Sequence, residues 1–395
     1  MQGDGESMAQ LKSWRDYLAR LGEAESLLEL TETPDDPQTR ADLYRQFQMN
    51  LSLAYFIYFQ SDPLHPDWLP FLNSVFMLQP NPDDTYFIAP LRGDLRYRLV
   101  GERGSVHLLT LDIGRGIMGT TDEIHPPLGQ FDLDDLEIDD DGNFEVLLSA
   151  ERPAGYEGNW LPLHGDADFA MLRQRSYAWG TERDARVAIE CLDAPFTKPL
   201  MGYEDIAQRT GELMNYAGRL SRRWLTHMQQ LRTRSKVNEF EFFAFGGGLA
   251  KQAYWQAIFD FGPDEALILE TALPQTQRYW NVQLNDALFN TLDFIDHQSS
   301  LNGYQAHVDE DGHFRAVIAH RDPGVPNWLD TCGINRGTAI GRWYACSSEP
   351  VPTLKRVSLA DVRNYLPAKT PVVDGSERER RLRERRIGAQ LRRRW

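Results

Sequence analysis

One signature occurs twice in this chain. The first copy reads Asp140-Asp141-Gly142-Asn143-Phe144, then Asn159-Trp160-Leu161, then Arg175-Ser176-Tyr177. The second reads Glu310-Asp311-Gly312-His313-Phe314, then Asn327-Trp328-Leu329, then Arg342-Trp343-Tyr344. Glycine to asparagine is 17 residues in one copy and 15 in the other, and asparagine to arginine is 16 and 15. Order and spacing both persist, which points to two related halves. Residues present in both copies define a fold, and residues present in only one are better candidates for a site.

The halves read as β structure. Leu95, Tyr97 and Leu99 alternate with Arg96 and Arg98, as in a half-buried strand. Asp141-Gly142 lies between Leu136-Glu137-Ile138 and Phe144-Glu145-Val146-Leu147-Leu148, and glycine supplies the positive φ of a tight hairpin turn. Asp311-Gly312 does the same in the second half. Helical spacing appears instead at Leu11, Trp14, Leu18 and Leu21, at Leu43, Phe47, Leu51 and Ala54, and along Ile206, Leu213, Ala217, Leu220 and Trp224. Asp36-Pro37 breaks the first two, and Gly246-Gly247-Gly248 marks a bend.

The fold expected is mainly β with α segments: two tandem related β-sandwich or jelly-roll domains with N-terminal and connecting helices. The expected divisions are an N-terminal helical segment at 1–75, a first sandwich at 76–198, a helical connector at 199–238, a second sandwich at 239–352, and an extension with an Arg-rich tail at 353–395.

Charge narrows the partners. The net charge is −16, yet residues 376–395 hold nine Arg against three Glu, which leaves −22 on residues 1–375. Such an acidic body argues against nucleic acid, whose phosphates need a basic face. The start, Met1 to Met8, is polar and lacks a signal-peptide pattern, and no stretch has the ~18–20 apolar residues of a membrane span. Cys191, Cys332 and Cys346 are an odd, scattered set, so reduced thiols and a cytoplasmic location are expected. The tail is expected to dock on an acidic neighbouring subunit, which would make a homo-oligomer.

Four groups of residues could carry chemistry. Asn81-Pro82-Asp83-Asp84-Thr85-Tyr86 occurs once, before the first strand. Two adjacent carboxylates can divide acid and base roles if their surroundings split their pKa values. Asp83, Asp84 and Tyr86 are therefore the expected catalytic set, against the plainer reading of a turn. Arg342, beside Trp328 and Tyr344, could clamp an anion or a polyol, since a guanidinium forks onto carboxylates and phosphates. Its duplication speaks equally for a structural role, in which Asn caps a loop and Trp fills the core. Asp286, Asp293, His297, Asn302 and Gln305 form a polar set in which Asp293 could orient His297 as a base. His320 and Arg321 precede the turn Asp322-Pro323-Gly324, at a loop rim.

Other chemistries lack their patterns. The nine His form no His-Glu-x-x-His and the Cys no Cys-x-x-Cys, so no metal site is expected from motifs, which leaves open only a three-ligand site assembled by folding. No Gly-x-Ser-x-Gly elbow and no Gly-x-Gly-x-x-Gly after a strand appear, so no cofactor is expected.

The motifs Tyr279-Trp280, Ser299-Ser300-Leu301-Asn302, Asp322-Pro323-Gly324-Val325-Pro326-Asn327-Trp328-Leu329 and Arg342-Trp343-Tyr344 resemble the bacterial family called domain of unknown function 1214, over roughly residues 240–350. Asn81 to Tyr86 and Gly93 to Arg98 are similar to the N-terminal part of such proteins. They also resemble, more weakly, the sibling family 1254. The resemblance implies β-sandwich or jelly-roll domains and no settled activity.

The expected function is binding, and conversion by metal-free acid–base chemistry, of a small aromatic, isoprenoid-like or polyol molecule. Asp83 or Asp84 would be the base, Tyr86 the donor and Arg342 the anion stabiliser. The richness in Trp160, Tyr279, Trp280, Trp328 and Trp343 suits a ring-bearing ligand. Tyr279, Trp280, His297, Asn302, His320, Arg321, Trp328 and Arg342 are the expected binding residues. The alternatives are a non-catalytic carbohydrate- or ligand-binding module and an assembly scaffold.

Overall fold

A computed structural model describes residues 10–72, 80–243, 245 and 248–392. The polar start at Met1–Met8, Gly246 and Gly247 of the glycine bend, and the last three residues of the tail lie outside the described residues.

Two helices come first, α1 (Trp14–Glu23) and α2 (Pro37–Tyr55). Asp36 starts α2: its carboxylate accepts from the Thr39 amide at 2.8 Å, and Pro37 fills the first turn, where its missing N–H costs nothing. The first half then runs β1 (Leu69–Phe71), β2 (Asp84–Pro90), β3 (Tyr97–Glu102), β4 (Leu108–Gly114), β5 (Gly129–Asp132), β6 (Asn143–Ser149), β7 (Asn159–Pro162), β8 (Phe169–Arg175) and β9 (Arg186–Cys191). A long helix, α3 (Tyr203–Arg234), leads to the second half. That half runs β10 (Glu241–Phe243), β11 (Gln252–Asp260), β12 (Glu265–Ala272), β13 (Gln277–Asn285), β14 (Ser300–Asn302), β15 (His313–Ala319), β16 (Trp328–Asp330), β17 (Arg336–Cys346) and β18 (Thr353–Ser358). A short 3-10 turn (Leu359–Tyr365) and α4 (Gly375–Leu391) close the described chain.

The duplication is explicit in the sheets. The first half pairs as β1-β2-β8-β4-β5 and β7-β6-β3-β9, and the second as β10-β11-β17-β13-β14 and β16-β15-β12-β18. Each order repeats the other nine strands on. Gly142 and Gly312 take φ of +85° and +78°, the left-handed turn that the sequence predicts. The arm before Gly142 is a loop rather than a strand, because residues 136–138 pair with no neighbour in a sheet.

Each half is a sandwich. Phe87, Leu109, Leu111 and Leu172 of the five-stranded sheet pack on Tyr97, Leu99, Val146 and Leu148 of the four-stranded one. In the second half Trp255, Trp280, Val282 and Trp343 pack on Leu267, Leu269, Phe314 and Ile318. The second core is the more aromatic, and Gly341 makes room for it: a Cβ there would meet the Trp255 ring at 1.9 Å. The ladder equivalent in the first half is Leu172, opposite Phe87 where Gly341 is opposite Trp255.

The two five-stranded sheets turn their remaining faces toward each other, so β2, β4 and β13 are buried on both sides. Helix α3 lies across the seam. Its buried Tyr216, Leu220, Trp224 and Met228 recur at helical spacing and meet Tyr86 and Ile88 of one half and Tyr254, Ile258 and Ile340 of the other. Its last turn carries Arg232 and Arg234, which suit the negative end of the helix dipole.

Helix α4 folds back on its own chain. Arg378 ion-pairs Asp322 at 2.8 Å, Arg385 donates to the Phe294 carbonyl at 2.6 Å, and Arg392 donates to the Pro82 carbonyl at 2.6 Å. These arginines are bonded within the chain, because the acidic surface they neutralise is intramolecular. Cys191, Cys332 and Cys346 are free thiols. Among the described residues no helix is long and apolar enough to cross a membrane.

Candidate functional site

The facing sheets present polar side chains at every second position. On β2 and β8, Asp84 lies opposite Arg175 and Tyr86 opposite Arg173. On β4, Thr110 lies opposite Arg173 and Asp112 opposite Met171. In the second half Tyr254 lies opposite Arg342, Gln252 opposite Tyr344, and Gln283 opposite Ile340. Arg173 and Arg342 are therefore the equivalent arginines, and Tyr344 is the equivalent of Arg175. The sequence motifs pair Arg175 with Arg342 instead. A strand repeats every two residues, so a two-residue drift keeps the face and hides the shift.

Two buried clusters result. In the first, Arg175 grips Asp84 through both nitrogens, at 2.5 and 2.8 Å, with both side chains 1% exposed. Its guanidinium also lies 4.0 Å over the Tyr279 ring and donates to Gln252 at 3.1 Å, which joins the two halves. Burial pushes the Asp84 carboxyl up, but Arg175, with Arg173 and Arg342 behind it, overcomes this and holds it below the usual carboxylate range. The Tyr86 hydroxyl donates to Asp84 at 3.1 Å, and burial keeps that phenol protonated.

The second cluster surrounds Asp83. Tyr279 O–H donates to it at 2.5 Å, Asn302 at 2.7 Å and the Trp179 indole at 2.8 Å. Burial raises its carboxyl, opposed by these bonds and by Arg392. Arg385 and Arg392 both lie against the Trp179 ring, at 4.6 and 4.9 Å. Asn81 links the groups, bonding Tyr279 at 2.9 Å and Asn281 at 2.8 Å.

Beside the Asp84 cluster is a cavity of about 70 Å³. Its polar wall is Asp84, Tyr86, Arg173, Gln252, Tyr254 and Arg342, and its apolar wall includes Phe71, Met118, Met171, Trp224 and Phe289. Each arginine sits over its ladder tyrosine, Arg173 over Tyr86 at 5.4 Å and Arg342 over Tyr254 at 5.6 Å. Arg173 Nε is buried without a hydrogen-bond partner. Arg342 donates to Gln283 at 2.7 Å. A second cavity of about 60 Å³ shares Phe71, Met118 and Met171 with the first and reaches Asp112, Ile113 and Phe169.

The structure brings Asp83, Asp84, Tyr86, Tyr279, Asn302 and Arg342 together, although only Asp84, Tyr86 and Arg342 of these line the cavity. The other expected residues lie elsewhere. Trp280 is 1% exposed in the second sandwich core. Trp328 is buried on the outer face of the four-stranded sheet, under Arg378. His297 bonds Asp330 at 2.7 Å rather than Asp293, whose carboxylate caps the turn at Ile295 and Asp296. His320 bonds Thr331 at 2.9 Å and stacks on Phe261, and Arg321 pairs with exposed Asp264. Asn159 and Asn327 pin equivalent loops, each bonding one backbone amide and two carbonyls, which is the structural role their duplication points to.

His297, Asp330 and Cys332 hold potential metal-ligand atoms within 4.8 Å of one another. Within it Asp330 bonds His297 at 2.7 Å, and burial raises the Cys332 thiol.

Arg173, Asp112, Gln252, Tyr254 and Trp179 are site residues that the motifs do not mark. The available signal is alternation: Thr110 and Asp112 interrupt Leu108 to Ile113 at every second place, as Asn281, Gln283 and Asn285 interrupt Trp280 to Leu284. Such strands read as half-exposed, and here the partner sheet covers the polar side.

No curated protein matches this sequence. Among solved structures, an uncharacterized protein from Burkholderia cenocepacia is similar, with 28% identity and a TM-score of 0.79 over 88% of this chain and 97% of that one. The VPA0106 protein from Vibrio parahaemolyticus aligns with 13% identity and a TM-score of 0.46 over 80% of this chain and 99% of that one. The family described as "Protein of unknown function (DUF1214)" matches residues 89–178 and 264–347. One matched region falls in each sandwich, and both halves of this chain therefore carry the DUF1214 signature.

Proposed function

We propose that this protein binds a small organic anion in the cavity between its two sandwiches. The observation that carries this reading is the convergence of two Arg–Tyr pairs, at equivalent ladder positions, on one apolar-walled cavity. Arg173 is 6% exposed, and its Nε makes no hydrogen bond, with Asp84 Oδ2 at 3.8 Å, too far to accept one. A buried guanidinium donor left unmade is costly, and an anionic oxygen would satisfy it. The carboxylate in the same wall, Asp84, is engaged bidentately by Arg175 and holds the site together.

The two cavities, about 70 and about 60 Å³, share a wall of Phe71, Met118 and Met171, and a ligand that parts this wall and fills both would have on the order of ten heavy atoms, since one water needs roughly 10–15 Å³. Phe71, Met118, Met171 and Phe169 suit a ring or branched apolar group. Binding rather than acid–base conversion fits the acidic pair. Arg175 holds Asp84 in its weakly basic, ionised form, and Asp83 does not line the cavity.

Calorimetric titration with mandelate and its neutral analogue mandelamide, which share the hydroxyl and differ only in the charged group, tests this. The carboxylate is expected to bind at least about tenfold tighter than the amide, and Arg173→Met to erase the difference. Equal binding of the two probes, or an Arg173→Met variant that keeps the preference, would refute the anion site.

A further inference from the structure

We infer that the ligand carries a hydrogen-bond donor beside its carboxylate, which makes it a small apolar 2-hydroxy or 2-amino acid, with Asp112 as the residue that reads the donor. This rests on the anion site proposed above and narrows its ligand.

Asp112 is 5% exposed and lines the second cavity, among Phe71, Ile113, Met118, Phe169 and Met171. Its Oδ2 lies 3.3 Å from Arg173 Nη2, while its Oδ1 is buried with no close hydrogen-bond partner, the nearest amide being that of Gln130, opposite Asp112 on β5, which helps to hold its carboxyl down against burial. On the other side of the same ion pair, Arg173 Nε makes no hydrogen bond and lies 3.8 Å from Asp84 Oδ2. Thr110 Oγ1, two residues along on the same face and directly opposite Arg173, is a third unpartnered atom. Arg173 thus sits between two carboxylates, Asp112 and Asp84, with its Nε and Asp112 Oδ1 both outside close hydrogen-bond range. Buried polar atoms are nearly always paired, so a local run of exceptions marks a place where something else supplies the partners.

The duplication sharpens the point. The ladder equivalent of Asp112 is Gln283, since Asp112 lies opposite Met171 and Gln283 opposite Ile340. Gln283 is fully used: its amide donates to the Pro80 carbonyl, Asn285 and Thr291, and its oxygen accepts from Arg342. The second half closes this position and the first leaves it open.

A plain carboxylate would satisfy Arg173 but would set its charge against Asp112, where like charges in a dry site repel strongly. A hydroxyl or ammonium on the adjacent carbon turns that repulsion into a donated hydrogen bond to Oδ1. The carboxylate then meets Arg173, the donor meets Asp112, and the side chain enters the Phe71–Met118–Met171 wall.

Three probes with one side chain separate the possibilities: phenylacetate, mandelate and phenylalanine, titrated calorimetrically into the full chain. The expected result is that mandelate or phenylalanine binds at least about tenfold tighter than phenylacetate, because a site built to bond a donor discriminates against the analogue that lacks it. Asp112→Val is expected to bring all three within about twofold. Asp112→Asn, which keeps the shape, is expected to retain the advantage of mandelate and to lose that of phenylalanine, whose ammonium needs the charge. Equal binding of the three probes by the wild type, or a donor advantage that survives both variants, overturns the inference and leaves the anion site standing. Failure of all three to bind overturns the anion site as well.

Discussion

Arg173 and Arg342 occupy the same ladder position in the two sandwiches, each opposite a tyrosine of the neighbouring strand, and both border one cavity. Their surroundings differ. Arg173 has Asp112 at 3.3 Å, while Arg342 donates to Gln283 at 2.7 Å. Equivalent positions thus carry a carboxylate beside the arginine in the first half and an amide beside it in the second.

The Asp84–Arg175 pair sets the strongest stability prediction. Both side chains are 1% exposed, so Arg175→Met leaves a buried carboxylate with the Tyr86 hydroxyl at 3.1 Å and Arg173 at 3.8 Å, and is expected to cost about 3 kcal/mol. Urea unfolding of the variant measures it. A loss under about 1 kcal/mol would mean that Asp84 finds water or a proton once Arg175 is gone.

His227 predicts an acid-sensitive stability. Burial, assisted by Arg234 and Arg223, pushes its imidazole down to about 4 from an ordinary 6.5. Between those values the unfolded chain binds the proton and the folded chain does not. Stability therefore falls as pH drops from about 6.5 towards 4, by up to about 3 kcal/mol, and this contribution levels off below that. His227→Phe should flatten that part of the profile. Denaturant midpoints at pH 7 and pH 5 that shift equally in both proteins would rule the effect out.

The paired asparagines give a comparison internal to one molecule. Asn327 is 4% exposed and Asn159 only half-buried, yet both make the same three loop bonds. Asn327→Ala is expected to cost about 2–3 kcal/mol and Asn159→Ala about 1, because water replaces the lost bonds only at the second site. Equal costs would show that burial does not govern these loops.

Deleting residues 376–395 removes most of α4 and uncovers Trp179, Phe294 and Ile295. The unfolding midpoint is expected to drop by on the order of 10 °C, at roughly 2–4 °C per kcal/mol for a domain of this size. The number of subunits in solution should not change, because Arg378, Arg385 and Arg392 bond within their own chain. Light scattering reports the second quantity, and dissociation on deletion would restore a role for the tail in assembly.

Much of the fold is legible in the sequence, and much less of the site. Alternation at Tyr97 and Leu99, glycines 142 and 312, and the stripe along Leu220 and Trp224 are local signals, and each lies in the element that they predict. Asp83 and Asp84 stand out because they occur once. Trp280 and Trp328 mislead because an aromatic residue looks alike in a core and in a binding wall, and only the third dimension separates the two. Asp112 and Arg173 escape notice for a different reason. Single polar residues in alternating strands look solvated until a second sheet covers them.

The Asp83 cluster also has a bearing on how the protein is made. Tyr279 and Asn302, which bond Asp83, lie 196 and 219 residues beyond it, and Arg392, which bonds the Pro82 carbonyl, lies 310 residues beyond that. At roughly 5–20 residues per second, a ribosome needs about 15–60 s to travel from Pro82 to Arg392. Through that interval the first sandwich can form its own ladders and place Arg175 on Asp84 and Trp179 on Asp83, while the partners from the second sandwich and α4 are still missing. The acidic centre is thus shared between segments made far apart in time, and it reaches its full set of bonds only after α4 has been made.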